Sequence, residues 1–120
     1  MAHTPADIDA LLPLQTAAFH ILLALSGGDA HGYGIIHDVA ARTGGALRLS
    51  PGTLYRTIQR LLEDGLIEEP RRPTGSHEDP RRRYYRITAL GRAVVRAETE
   101  RLTELVRIAK GALRVARGQA

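Results

Sequence analysis

The sequence predicts a mostly α-helical chain with one small β-hairpin and a long C-terminal helix. Three observations carry this prediction. Apolar residues recur at helical spacing in three segments before residue 65. The period then shifts to short β-rich stretches on either side of a loop rich in proline and arginine, and from residue 89 to about residue 117 a single apolar stripe returns. At 120 residues and 43% hydrophobic, the chain can build one small core plus an appendage.

Met1 to Pro13 reads as a flexible polar lead with a weakly helical acidic patch around Asp7 and Asp9. From Leu14 to Leu25 the first strong helix places Leu14, Ala18, Ile21, Leu22 and Leu25 on one face, and Ser26-Gly27-Gly28-Asp29 ends it. A second helix spans about Gly32 to Arg42, with Ile35, Ile36, Val39 and Ala40 inward. His31-Gly32-Tyr33-Gly34 opens it, and two glycines this close permit another element to approach the backbone.

The third helix is the best bracketed. Ser50 suits the N-cap, Pro51 the first helical position and Gly65 the left-handed residue after the last turn. Leu54, Ile58, Leu61 and Leu62 share its core face, while Gly52, Thr53, Arg56, Gln59 and Arg60 share the other. Arginine and glutamine present donors that match base edges in a major groove, and small residues at the start let a helix approach closely. The same pattern also fits an ordinary surface helix with a solvated polar face.

Beyond Gly65, Leu66 to Glu69 and Arg83 to Thr88 read as two strands of a hairpin, and the segment PRRPTGSHEDPRR between them reads as a basic wing. The whole is then a winged helix-turn-helix domain over residues 1–88, with residues 89–120 as a C-terminal dimerisation helix. Thr88 suits the N-cap of that helix, and its stripe runs through Leu90, Val94, Ala97, Leu102, Leu105, Ala109 and Leu113. A helix of this length, on the order of 43 Å, outreaches a domain of this size. Its far stripe therefore calls for a second copy, and Val94, Ala97, Leu102, Leu105, Ala109 and Leu113 are the expected dimer interface.

Charge is unevenly placed. Residues 1–69 net −4, residues 70–88 net +4 and residues 89–120 net +4. A basic second half points to a polyanion partner, double-stranded DNA above all. The chain has no cysteine, which removes disulfides, thiolate metal sites and a cysteine nucleophile. His31, His37 and Asp38 do not complete a ligand set, and no paired carboxylates, nucleophile with base, or phosphate loop is present, so neither an enzyme nor a metal or cofactor is expected. The longest apolar run, AAFHILLAL, is too short for a bilayer, and the lead has no basic n-region; the expected location is the cytoplasm, away from any membrane.

As an ordered set, FHILLAL, HGYGI, GGALRLSPGTLYRTIQRLLEDGLIEE and RRRYYRITALGR resemble the PadR-type bacterial transcriptional regulators, over about residues 14–95. The single long C-terminal helix is similar to the short class of that family. The resemblance implies a homodimeric repressor on a palindromic operator, released by a small-molecule inducer. It also implies that Ser50, Thr53, Tyr55 and Arg56 approach DNA, with Tyr33 on a phosphate and Arg81 and Arg82 of the wing alongside. The residue pattern adds Gln59 and Arg60 to the same face. Some short-class relatives hold flat aromatic compounds between tryptophans at the dimer centre; this chain has no Trp, and the identity of an inducer stays open. An alternative of another kind is a dimeric winged-helix module that binds proteins and has no specific DNA target.

Overall fold

The computed structural model describes residues 4–72 and 82–118. Five helices and three strands follow in the order α1 (Pro5–Asp9), α2 (Thr16–Ser26), β1 (Ala30–His31), α3 (Gly32–Arg42), α4 (Pro51–Glu63), β2 (Ile67–Glu68), β3 (Tyr84–Ile87) and α5 (Ala89–Gly118). The mostly helical fold with its small sheet and long last helix is the predicted one.

Helix α2 is the hub, because it buries residues on more than one side. Ala18, Ile21, Leu22, Ala24 and Leu25 are all buried, and the helix meets α3, α4, α5 and β3. A helix apolar on several faces can only sit inside. Helix α4, by contrast, is sharply two-sided: Leu54, Ile58 and Leu61 are buried, and the opposite side is open. Ser50 Oγ accepts the Thr53 N–H at 3.2 Å, Pro51 occupies the first turn, and Gly65 follows the helix at φ 74°, so each bracket read from the sequence is in use.

The sheet departs from prediction. The expected hairpin of two strands is a three-stranded antiparallel sheet in the order β1-β3-β2, with Ala30 opposite Tyr85 and Ile67 opposite Ile87. β1 is only two residues long, too short to show a period, and it forms because the turn after α2 lays the chain beside β3. Along β3 burial alternates, with Tyr85 and Ile87 inward.

The lead also departs from prediction. Thr4 and Asp7 form a reciprocal capping box at 3.0 and 3.2 Å, and Ile8, Leu11 and Leu12 pack against the core, so residues 4–13 are a seated element rather than a flexible one. What holds them is Glu98 of α5. Its side chain is 2% exposed and accepts the Leu14 N–H at 2.8 Å while Arg101 donates from Nε at 2.5 Å and Nη2 at 3.1 Å. The hydrogen bonds from Arg101 hold the carboxyl below its ordinary range, and the Leu14 amide adds to this against the opposing effect of burial.

Helix α5 starts where Thr88 accepts the Gly91 N–H at 3.1 Å and donates to the Gly65 carbonyl at 2.7 Å. Gly91 lies so close to β2 that a Cβ there would sit 2.2 Å from the Leu66 carbonyl oxygen. One expected interface position moves as a result. Val94 is fully buried within its own protomer, because this first part of α5 seals the core. Ala97 is half-buried beside Leu12 and Pro13 of the lead. Leu105, Ala109 and Leu113 are open, and Leu102 is partly so.

Candidate nucleic-acid interface

Three pieces converge on the side of the molecule where α4 shows its polar face: α4 itself, the start of α3, and the base of the wing. On α4, Arg56 and Arg60 are exposed and make no ion pair among the described residues. Gln59 is exposed too, but its Nε2 donates to Glu63 Oε1 at 3.3 Å, so it is partly engaged. Thr53 is half-buried, and the Ser50 hydroxyl donates to Thr53 Oγ1 at 3.1 Å; both are occupied in starting the helix. The first turn is thus stiff, and the arginines project from a fixed backbone.

Tyr55 is 52% exposed and lies on the flank of α4 toward α3. It lies close over Gly32: a Cβ there would come within 2.5 Å of the Tyr55 hydroxyl and 3.1 Å of Leu54 Cδ2, so α3 and α4 meet closely at this glycine. The predicted close approach at this glycine pair is therefore real at Gly32, while at Gly34 an added Cβ would meet only the His31 ring, at an ordinary 3.4 Å. Tyr33, at the start of α3, is 65% exposed, with its ring edge-on to His37 at 4.4 Å between centroids.

At the wing, Arg81 lies outside the described residues. Arg82 is exposed and reaches His31, with Nη1 2.9 Å from Nε2. Two other arginines of the basic stretch are taken up by the fold itself. Arg86 grips Asp29 with two hydrogen bonds, at 3.0 and 2.8 Å, and the Asp29 side chain is only 4% exposed. Arg83 pairs with Glu69 across the sheet ends. The bidentate Arg86–Asp29 contact ties β3 to the turn after α2, fixing the wing base against the helical core. Sequence reading counted these arginines as available charge, and missed His31, Asp29 and Glu98 as organisers. A carboxylate directly after a glycine pair, Gly27-Gly28, was the one signal that pointed to Asp29.

A cleft of about 980 Å³ runs along the other flank of α4, between Leu14, Ala17 and Leu61 on its apolar side and Thr53, Arg56 and Arg60 on its polar side. No helix among the described residues is long and apolar enough to cross a membrane.

The family model described as "Transcriptional regulator PadR-like family" matches residues 21–97. The chain belongs to that family. This PadR-like regulator is 35% identical over 88 residues to the transcriptional regulator Rv3488 of Mycobacterium tuberculosis, an overlap of 73% of this chain and 77% of the relative. Among solved structures it is similar to a transcriptional regulator from Clostridium thermocellum, with a TM-score of 0.67 at 24% identity, covering 92% of this chain and 97% of the other. A PadR family transcription regulator from Clostridium difficile gives 0.68 at 22% identity, covering 82% and 99%. At such identities these two likenesses speak for the fold. The family assignment makes the PadR-like chain a DNA-binding transcriptional regulator and not an enzyme.

Proposed function

We propose that this PadR-like protein acts as a homodimeric repressor that reads an inverted repeat in double-stranded DNA through α4 and is released by a small-molecule inducer. The observation that carries the reading is the outward face of α4. Arg56 and Arg60 stand exposed and unpaired among the described residues on a helix whose opposite face, Leu54, Ile58 and Leu61, is locked into the core. Free guanidiniums on a rigid helix suit base-edge and phosphate contact, with Tyr33, Ser50, Thr53, Tyr55 and Gln59 bordering them and Arg82 at the wing. Dimerisation through α5 is supported by the apolar residues it leaves open, Leu105 (47% exposed), Ile108 (52%) and Leu113 (69%). The Cα radius of gyration, 16.9 Å, exceeds the roughly 14 Å of a compact chain this long, because that half of the helix projects. The cleft beside α4 gives an inducer a place where it would compete with DNA for Arg56 and Arg60.

Selection of duplexes from a random pool, followed by affinity against salt, tests the reading. It predicts an enriched inverted repeat with half-sites about one helical turn apart and a steep salt dependence that flattens for Arg56→Ala with Arg60→Ala. If nothing is enriched and binding is feeble at physiological salt, the reading fails, and a protein-binding role for the winged domain takes its place.

A further inference from the structure

His31 stands at the junction of β1 and α3, and its two ring nitrogens face opposite demands. Nδ1 accepts the Gly34 N–H at 3.1 Å, which caps α3 and requires that nitrogen to be bare. A neutral ring then carries its one proton on Nε2. Nε2 lies 2.9 Å from Nη1 of Arg82, and a guanidinium can only donate. Two N–H donors therefore meet with no acceptor between them. The other tautomer would satisfy Arg82 but would remove the acceptor from Gly34 and uncap the helix. The ring can serve α3 or Arg82, not both.

An anionic oxygen placed against both donors resolves the conflict. We propose that His31 and Arg82 together hold one backbone phosphate of bound DNA, His31 donating from Nε2 while Nδ1 goes on capping α3. The inference rests on the DNA-binding reading above and adds His31 to it as a contact residue. The surroundings favour such a role. Arg82 is exposed, and the exposed ring of Tyr33 lies two residues beyond His31. Among the described residues the Tyr84 ring of β3 stands edge-on to the imidazole at 5.5 Å, and on the α4 side Tyr55 lies over the adjoining Gly32. Burial, and after it Arg82, keeps the imidazole below its ordinary pKa, which favours the neutral ring that the cap requires.

The test uses His31→Asn, because asparagine still caps a helix but offers nothing at the position of Nε2. The probe is the duplex selected by the wild type, with each phosphate of one half-site replaced in turn by a neutral methylphosphonate. His31→Asn is expected to melt as the wild type does and to bind about tenfold more weakly, the effect of one lost hydrogen bond to a charged group. One methylphosphonate position that weakens the wild type about tenfold should weaken His31→Asn and Arg82→Ala no more than about twofold. Equal binding by His31→Asn and the wild type overturns the inference and leaves His31 as a cap alone. So does weaker binding with no phosphate position singled out. If the wild type enriches no duplex at all, the underlying reading fails first, and this one falls with it.

Discussion

The two halves of α5 carry one apolar stripe and lead different lives. Up to Arg101 every turn is claimed by its own protomer: Gly91 against the Leu66 carbonyl, Val94 in the core, Glu98 on the Leu14 amide. From Leu102 onward, Leu105, Val106, Ile108, Leu113 and Val115 face outward, with only exposed pairs such as Arg107–Glu104 along the helix surface to steady them. Such surface pairs contribute little. The periodicity of the stripe is the same in both halves. It says which way a side chain points, and the bulk of the domain decides where the stripe runs out of neighbours.

The seated half should break most sharply at Gly91. A Cβ there would lie 2.2 Å from the Leu66 carbonyl oxygen and 2.7 Å from Ile87 Cγ1, and the first of these is backbone that cannot rotate away. Gly91→Ala is expected to cost at least about 3 kcal/mol, the upper end of overpacking, in denaturant melts followed by circular dichroism. A loss below about 1 kcal/mol would mean that α5 slides easily on β2, and the contrast between the halves would weaken.

In the open half the same kind of insult should spare the fold and break the assembly. Leu105→Arg or Leu113→Arg sets a charge in the proposed seam without an acid placed to receive it. The dimer dissociation constant is expected to rise about a hundredfold, close to 2.8 kcal/mol, by light scattering or sedimentation. The melting of the winged domain, compared where both proteins are monomeric, should stay put. Unchanged dimers would place the two-fold on another surface.

Glu98 marks the boundary between the halves, and its effect should be intermediate. Glu98→Ala leaves the part-buried Leu14 amide without its acceptor, an expected cost of about 1–3 kcal/mol. The pH dependence has a definite sign. Because the folded pKa is depressed, chiefly by Arg101, this stabilisation is fully present above the unfolded value of about 4.3 and is lost as pH falls through the folded one. Glu98→Gln should therefore melt below the wild type at neutral pH, and the gap should close under acid conditions. A gap that persists unchanged to low pH would remove the carboxylate from the account.

Much of this was legible in the sequence, and the exceptions share a cause. The brackets of α4, from Ser50 and Pro51 to Gly65, were readable because capping is local chemistry between residues a few positions apart. The bounds of α3 were readable for the same reason. Strand β1, the seating of the lead by Glu98, and the Asp29–Arg86 tie were not, because each is a pairing between residues more than fifty positions apart that leaves no period in the chain. The interface shows the same division. Helical spacing put Arg56 and Arg60 outward correctly, whereas only coordinates reveal that Arg83 and Arg86 are spent on Glu69 and Asp29. Val94 was misplaced for a related reason: spacing assigns a face and cannot tell whether a core or a second copy will cover it.

The smallest expected effect sharpens the comparison from the open side. Gly111 meets nothing closer than Arg114 Nη2, at 4.0 Å, and lies well inside a helix. An alanine there has room, and it removes the backbone freedom that makes glycine unfavourable in a helix interior, a gain of about 0.5–1 kcal/mol. Gly111 falls away from the Leu105–Ala109–Leu113 stripe, so the gain should appear as slower hydrogen exchange in the last turns and a few-fold tighter dimer. The same substitution distinguishes two seams. If Gly111→Ala loosens the dimer instead, a partner backbone must come close to that side of α5, and the two-fold would lie across the glycine rather than along the leucines. Gly91 and Gly111 would then be the same device used twice, once against the protomer's own sheet and once against its partner.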